Sequence, residues 1–224
     1  LRLMQSIPEG AVRGEHHRAR SALVYSEALY HNYIDVESDT LTRPMAEYYL
    51  ESDMHAERAR ALYQDALVKR QQGELPEAML MLEEAEVSLG RVQNLKLLAL
   101  VHRTKGDIYN DGCLFVNALH AYEEALALFD TLGLDYHYHS LLYDMGATEI
   151  QIRNFADARS LLLTALEYGV ASEHKDFVCA VLHEMLDLSI YMDDYVACGE
   201  LLAMFDTYDA LLYGEAHYNA VKAM

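Results

Sequence analysis

The chain has 224 residues, 52% of them hydrophobic, with three Pro and 11 Gly, which is enough for one sizeable folded domain and too apolar for a disordered segment. Its formal net charge of −19 is uneven: residues 1–105 hold 13 Lys+Arg against 16 Asp+Glu and residues 106–224 hold 4 against 20, so nucleic-acid phosphates would be repelled. Three Cys, at 113, 179 and 198, lack CxxC spacing and support neither a disulfide framework nor a zinc site, and no apolar run approaches the ~20 residues of a membrane-spanning helix.

In chain order, residues 1–14 are mixed, with Ser6-Ile7-Pro8-Glu9 reading as a turn or frayed helix end. Glu15 to Asn32 carries Ala19, Ala22, Leu23, Ser26, Leu29 and Tyr30 at helical spacing, which predicts the first long helix. Ser38-Asp39-Thr40 offers a cap for a short helix from Leu41 to Glu51, with Pro44 in its first turn. Residues 1–54 thus read as a divergent N-terminal helix pair. Four pairs of helices, A and B, follow. Residues 55–92 give helices from Met54 to about Gln72 and from Pro76 to Leu89, with Gly73 in the turn. Residues 93–132 give Gln93 to Asn110 and Phe115 to Asp130; residues 133–171 give Asp135 to Arg153 and Phe155 to Tyr168. Residues 172–210 give Ser172 to Met192 and Tyr195 to Tyr208, with Asp193-Asp194 as turn and N-cap. Residues 211–224 start another helix, a cap or a truncated element. The chain begins at Leu1 without an initiator Met and stops inside a helical pattern, as an excised fragment of a longer protein would.

These pairs recur at a step of 40 residues. Ala66, Gly106, Gly146 and Leu186 share one register position in helix A; Ala78, Ala118, Ala158 and Cys198 share one in helix B. Leu82, Tyr122, Leu162 and Leu202 recur between that position and Ala85, Ala125, Ala165 and Phe205. Small residues admit a neighbouring backbone and the large ones fill the adjoining space, which predicts closely packed antiparallel helices. Leu186 and Phe205 break the small-residue rule, so the last pair should stand further apart. Gly90, Gly133 and Gly169 fall near the ends of helix B and suit left-handed caps. Cys198 sits at a packing position, where a thiol acts as a small hydrophobe.

The register resembles the tetratricopeptide repeat, most closely at Lys105-Gly106-Asp107-Ile108-Tyr109 followed by Ala118, Tyr122 and Ala125. The resemblance covers roughly residues 55–208 and implies an all-α right-handed solenoid of about five helix pairs. Its usual step is about 34 residues, so helices here should run more than one turn longer. The YHNYID run and SDTLTRPMAEYYL also resemble a group of bacterial regulatory repeat proteins, in which such an array is the soluble portion of a larger membrane-tethered chain.

In that family helix A lines a concave groove. The resemblance implies Arg60, Tyr63, Leu67 and Arg70, then Arg103, Asp107, Asn110 and Asp111, as groove residues of the first two repeats. It implies Tyr143, Asp144, Ala147 and Gln151, then His183, Glu184, Asp187 and Tyr191, for the other two. The Lys and Asn of the family's carboxylate clamp are not supplied. The expected groove is basic at one end, acidic at the other and studded with tyrosines, which either pack against neighbouring helices or present stacking area to a partner. It would suit an extended or helical peptide whose basic segment points toward repeat four. The expected function is a non-catalytic protein- or peptide-binding scaffold, the sensing or docking part of a larger regulatory protein. The alternatives are a self-association module that stacks through its terminal helices into a homo-oligomer, and a metallohydrolase. The last rests on His183-Glu184-Met185-Leu186-Asp187, which approaches the HExxH zinc helix with Asp187 as second ligand. The repeat register already accounts for that spacing. Asp135, His137 and His139 form a second His-bearing group at a helix start, where Asp135 suits a cap. No Gly-rich phosphate loop and no nucleophile beside a base occurs, so neither an enzyme nor a cofactor is expected.

Overall fold

The structure, a computed structural model, describes residues 12–32, 34, 40–205 and 208. Those residues form α-helices joined by short turns: α1 (Glu15–Tyr30), α2 (Arg43–Leu50), α3 (His55–Gln71), α4 (Leu75–Leu89) and α5 (Leu95–Asp111). They continue as α6 (Phe115–Thr131), α7 (Asp135–Gln151), α8 (Phe155–Ala171), α9 (Lys175–Tyr191) and α10 (Tyr195–Phe205). The first helix of each repeat starts at residue 55, 95, 135 or 175 and has 17 residues; the second starts at 75, 115, 155 or 195. At 1.5 Å per residue the 17-residue helices are ~25 Å long. The segments expected over residues 1–11 and 211–224 lie outside the described residues, as do Ser38 and Asp39.

The chain packs as two units, one ending at Leu128 and one beginning at Phe129, inside α6. In the first unit α1 and α2 close on α3 through buried Ala19, Leu23, Met45, Tyr49 and Ala61. A second cluster joins α3 to α4 and α5 through Leu62, Ala66, Leu82, Ala85 and Val101. Each fully buried Leu in such a cluster contributes roughly 1.5–3 kcal/mol relative to exposure. In the second unit Leu141, Leu162, Val178, Leu182 and Leu186 occupy the corresponding interior.

The predicted close approaches are present. A Cβ at Gly106 would lie 2.4 Å from the ring of Tyr122, and one at Gly146 would lie 2.8 Å from Leu162 Cγ. Glycine leaves the room that Tyr122 and Leu162 take up, and the first repeat carries Ala66 and Leu82 at the same two register positions, both buried in one cluster. Gly169 belongs to the same class rather than to the caps. It is buried inside α8, and a Cβ there would lie 2.9 Å from Val178 of α9.

Capping follows a pattern that the glycine positions alone did not reveal. After α3, α5, α7 and α9 the residues in left-handed conformation are Gly73, Cys113, Arg153 and Asp193, with φ of 78, 58, 62 and 55°. The N–H after each bonds back across the turn, as in Glu74 to Lys69 O at 2.9 Å and Leu114 to Tyr109 O at 2.8 Å. This is the Schellman closure of a helix C-terminus, repeated in all four turns. Gly133 and Glu173, with φ of 61 and 57°, close α6 and α8 in the same way. Gly90 does not: its φ is −60°, because α4 stops at Leu89 and the chain reaches α5 through a longer link in which Asn94 accepts the Leu97 N–H at 3.1 Å. Asp194 caps α10 as anticipated, accepting the Ala197 N–H at 3.1 Å. Thr42, not Thr40, precedes α2, and its hydroxyl donates to Asp65 Oδ1 at 2.5 Å instead of capping.

Candidate functional site

In the first unit the expected groove residues lie on α3 and α5, and most of their polar groups are engaged within the chain. Arg60 makes a two-pronged pair with Glu27 of α1, Nε to Oε1 at 2.7 Å and Nη2 to Oε2 at 2.5 Å. That hydrogen bonding raises its pKa further above the usual arginine value. Arg70 bridges α3 to α5, donating to Asp111 at 2.6 Å and to Asp107 at 3.0 Å. Burial alone would lower its pKa, but the hydrogen bond to Asp111 and the two carboxylates outweigh that and raise it. The Tyr122 hydroxyl donates to the other Asp107 oxygen at 2.9 Å, so Asp107 is held from two sides. Arg103 and Asn110 are half-buried and also make contacts within the chain.

Two expectations are thereby corrected. Tyr63 is 3% exposed, because α1 covers this part of α3 and places Tyr30 edge-on to it with ring centroids 6.4 Å apart. Its hydroxyl hydrogen bonds with Thr104 and Tyr30, burial drives its pKa well up, and it presents nothing to a partner. The basic end of the expected groove is likewise neutralised internally, since Arg60 and Arg70 already spend their charge on Glu27, Asp107 and Asp111.

In the second unit α7 and α9 lie against each other, and Tyr143 of α7 meets Glu184 of α9. Tyr143 is half-buried, edge-on to Phe177 at 6.2 Å, and its hydroxyl reaches Glu184 Oε1 at 3.4 Å. Glu184, Asp187 and Tyr191 follow at i, i+3 and i+7 on α9, one stripe of the helix. Burial, reinforced by the charge of Asp187, raises the Glu184 pKa, while His183 and the Tyr143 hydroxyl oppose the shift. Asp144 and His183 are half-buried beside this stripe. Tyr191 is 60% exposed and lies parallel to Phe155 with centroids 6.5 Å apart. Between residues 129 and 205 the cations are Arg153, Arg159 and Lys175, outnumbered by carboxylates on every helix.

Neither His-bearing string is assembled as a ligand set: among the described residues no three His, Cys, Asp or Glu side chains converge on one point. His139 is tied to Asp135 O at 2.8 Å through Nδ1 and stacks on Tyr168 at 4.0 Å, and His137 packs on Phe129 at 5.2 Å. The Tyr136, His139, Tyr168, His174 and Phe177 cluster at this end of α7, α8 and α9 was not singled out from sequence; its members come from three helices and share no spacing. No described helix is long and apolar enough to cross a membrane.

No protein-family model matches the sequence, and no curated protein matches it. Solved structures do. BtubC of P. vanneervenii is 13% identical with a TM-score of 0.72, covering 95% of this chain and 89% of its own. The kinesin light chain TPR-like repeats of Podosopora anserina are 14% identical with a TM-score of 0.69, covering 87% and 96%. The apo form of RapI is 14% identical with a TM-score of 0.69, covering 88% and 71%. At such identities the likeness is one of fold, and it agrees with the helix pairs, the small-residue contacts and the repeated turns described above: the chain folds as an all-α repeat protein of the tetratricopeptide type.

Proposed function

We propose that the chain is a non-catalytic scaffold that holds a protein or peptide partner on the α7–α9 face of its second unit, as the sensing or docking portion of a larger regulatory protein. The observation that carries this reading is the contrast between the units. In the first, Arg60 and Arg70 are already paired with the chain's own carboxylates. On the α7–α9 face, Glu184, Asp187 and Asp144 stand with Tyr143 and Tyr191, and the Glu184 carboxylate is held at an electrostatic cost that a cation would relieve. A basic segment with an aromatic or aliphatic side chain next to its positive charge suits that face. Tetratricopeptide-type arrays present helix A surfaces of this kind, and a fold of this class leaves the partner to be decided by the side chains on it.

The test is affinity capture from a lysate of the source cells with the wild-type chain and an Asp187→Lys/Tyr191→Ala variant side by side, with circular dichroism to confirm that the variant is folded. A partner held by the wild type and lost by the variant supports the assignment. A partner held equally by both refutes it. A second reading, self-association, draws on exposed Tyr191, Met192, Tyr195 and Val196 at the turn from α9 to α10. Light scattering that gives the monomer mass at every concentration would remove it.

A further inference from the structure

The repeat register singles out a stripe of α4 that is exposed and apolar where the other repeats are not. Leu80 of α4 is 63% exposed, and Val87, two turns further on the same stripe, is 73% exposed. At the position of Leu80 the other repeats carry His120, Ser160 and Glu200, and at that of Val87 they carry Ala127 and Glu167. All five are exposed, as an outward-facing position requires. Leucine at 80 and valine at 87 are therefore exceptions to the chain's own rule.

Leu80 lines a groove. Between α2, α3 and α4 lies a cavity of about 450 Å³ whose apolar lining includes Ala46, Leu50, Leu62, Leu80 and Met81. It is open because α2 is short: its 8 residues span ~12 Å beside the ~22 Å of the 15-residue α4. Leu50, at the end of α2, is 38% exposed at the groove's edge. The rim is acidic. Glu77 and Glu84 on α4 and Glu47 on α2 are exposed there, against one exposed cation, Arg43 on α2, and among the described residues none of these three carboxylates is in an ion pair. The cation deepest in the groove, Lys69, has a side chain only 8% exposed and is paired with Glu74 at 2.6 Å. On its inner side Asp65 is 1% exposed and held by the Thr42 hydroxyl, so α2 is fixed on α3 and the groove is a formed feature.

We propose that this groove is a second docking site, distinct from the α7–α9 face, and that its occupant is a basic amphipathic helix from a partner protein. A strip of apolar side chains with Glu77 and Glu84 along its α4 edge and Glu47 on its α2 edge matches a helix with apolar anchors at i, i+3, i+4 and i+7 and Lys or Arg beside them. The partner's apolar residues lie on Leu50, Leu80 and Met81, its cations reach Glu47, Glu77 and Glu84, and two to three of its turns supply the length that α2 lacks. An acidic helix would face repulsion along the α4 edge.

The probe is a synthetic peptide of about 14 residues with Leu at those four spacings and Lys elsewhere. Two controls accompany it: one of the same composition with scrambled order, and one with Glu in place of Lys. Fluorescence anisotropy is read against the wild-type chain, Leu80→Glu, Glu77→Lys/Glu84→Lys and Asp187→Lys. Leu80→Glu changes a solvent-facing side chain, and a thermal melt verifies that it is folded. The Lys peptide should bind the wild type, keep most of that affinity for Asp187→Lys, which removes only the share the α7–α9 face holds, and lose at least about tenfold in affinity to Leu80→Glu, since that variant removes the burial of a leucine. It should weaken in Glu77→Lys/Glu84→Lys and with added salt, and both controls should bind less well. No binding of the Lys peptide, equal binding to Leu80→Glu, or loss only in Asp187→Lys would overturn the assignment. The last outcome would place the peptide on the other face.

Discussion

Replacing Gly106 by Ala tests the packing argument on which the whole register rests. On an unobstructed helix the change would stabilise by about 1 kcal/mol. Here the new methyl would stand 2.4 Å from Cδ1 and Cε1 of Tyr122 and 3.1 Å from its Cγ, so the body of the ring, not a flexible tip, must move. Tyr122 is 2% exposed and has no free space to enter. Overpacking of this kind costs about 1–3 kcal/mol. Moving the ring also withdraws its hydroxyl from Asp107, a hydrogen bond to a charged acceptor that contributes about 1.5 kcal/mol or more. Less the propensity gain, the net loss should be about 1.5–3.5 kcal/mol. Tyr122→Leu should rescue it, because the two positions then carry Ala and Leu, the residues that stand at the same register positions of the first repeat, Ala66 and Leu82, buried in one cluster. Urea unfolding followed by circular dichroism on the wild type, both single variants and the double variant gives the coupling, expected at about 1–3 kcal/mol. Gly146→Ala should be milder than Gly106→Ala, since Leu162 can shift more readily than a ring. A neutral or stabilising Gly106→Ala, or additive behaviour in the double variant, would refute the reasoning.

The repeated left-handed turns predict that Cys113→Gly and Arg153→Gly each stabilise by about 0.5–1 kcal/mol. The relief of a non-glycine side chain at positive φ exceeds the entropy that glycine loses on folding. Thermal melts decide this, and a lowered melting temperature in both variants would contradict it. Glu184→Gln concerns pH. Burial raises the folded-state pKa of Glu184 above its unfolded value, so the stability it contributes is complete below the unfolded pKa and is lost as pH rises through the folded one. The Gln variant should therefore gain melting temperature over the wild type at pH 7 but not at pH 4. An advantage confined to pH 4 would reverse the sign and discount burial as the cause.

The helix starts and the contacts at Gly106 and Gly146 were legible in the sequence because each reflects a local rule that recurs every 40 residues. The turns were partly hidden. Cys113, Arg153 and Asp193 adopt the backbone of Gly73 without being glycine, and composition does not mark a residue that bears strain. Gly169 and Gly90 were misread for the complementary reason: glycine serves equally for close approach and for a turn, and only the neighbouring helix tells which. Tyr63 shows why site residues are harder than elements. It occupies the same register as Arg103, Tyr143 and His183, yet α1, a helix outside the repeat pattern, buries it. The groove between α2 and α4 escaped notice because it arises from an absence, the missing turns of α2, that no motif announces.

The uniform Schellman closures have a consequence for how such a gene can change. Gly133 and Glu173 share one backbone conformation and one hydrogen-bond pattern, 40 residues apart. A copy of residues 134–173 spliced in after Glu173 would begin and end on junctions the chain already makes. No new connection would have to be invented, and each added helix pair would meet neighbours shaped to receive it. Unequal recombination can therefore lengthen or shorten this protein in whole helix pairs while the reading frame of its packing is kept. The link after α4, with its different stop at Leu89 and its Asn94 cap, keeps the 40-residue step but is the junction at which such an exchange would join two unlike backbones.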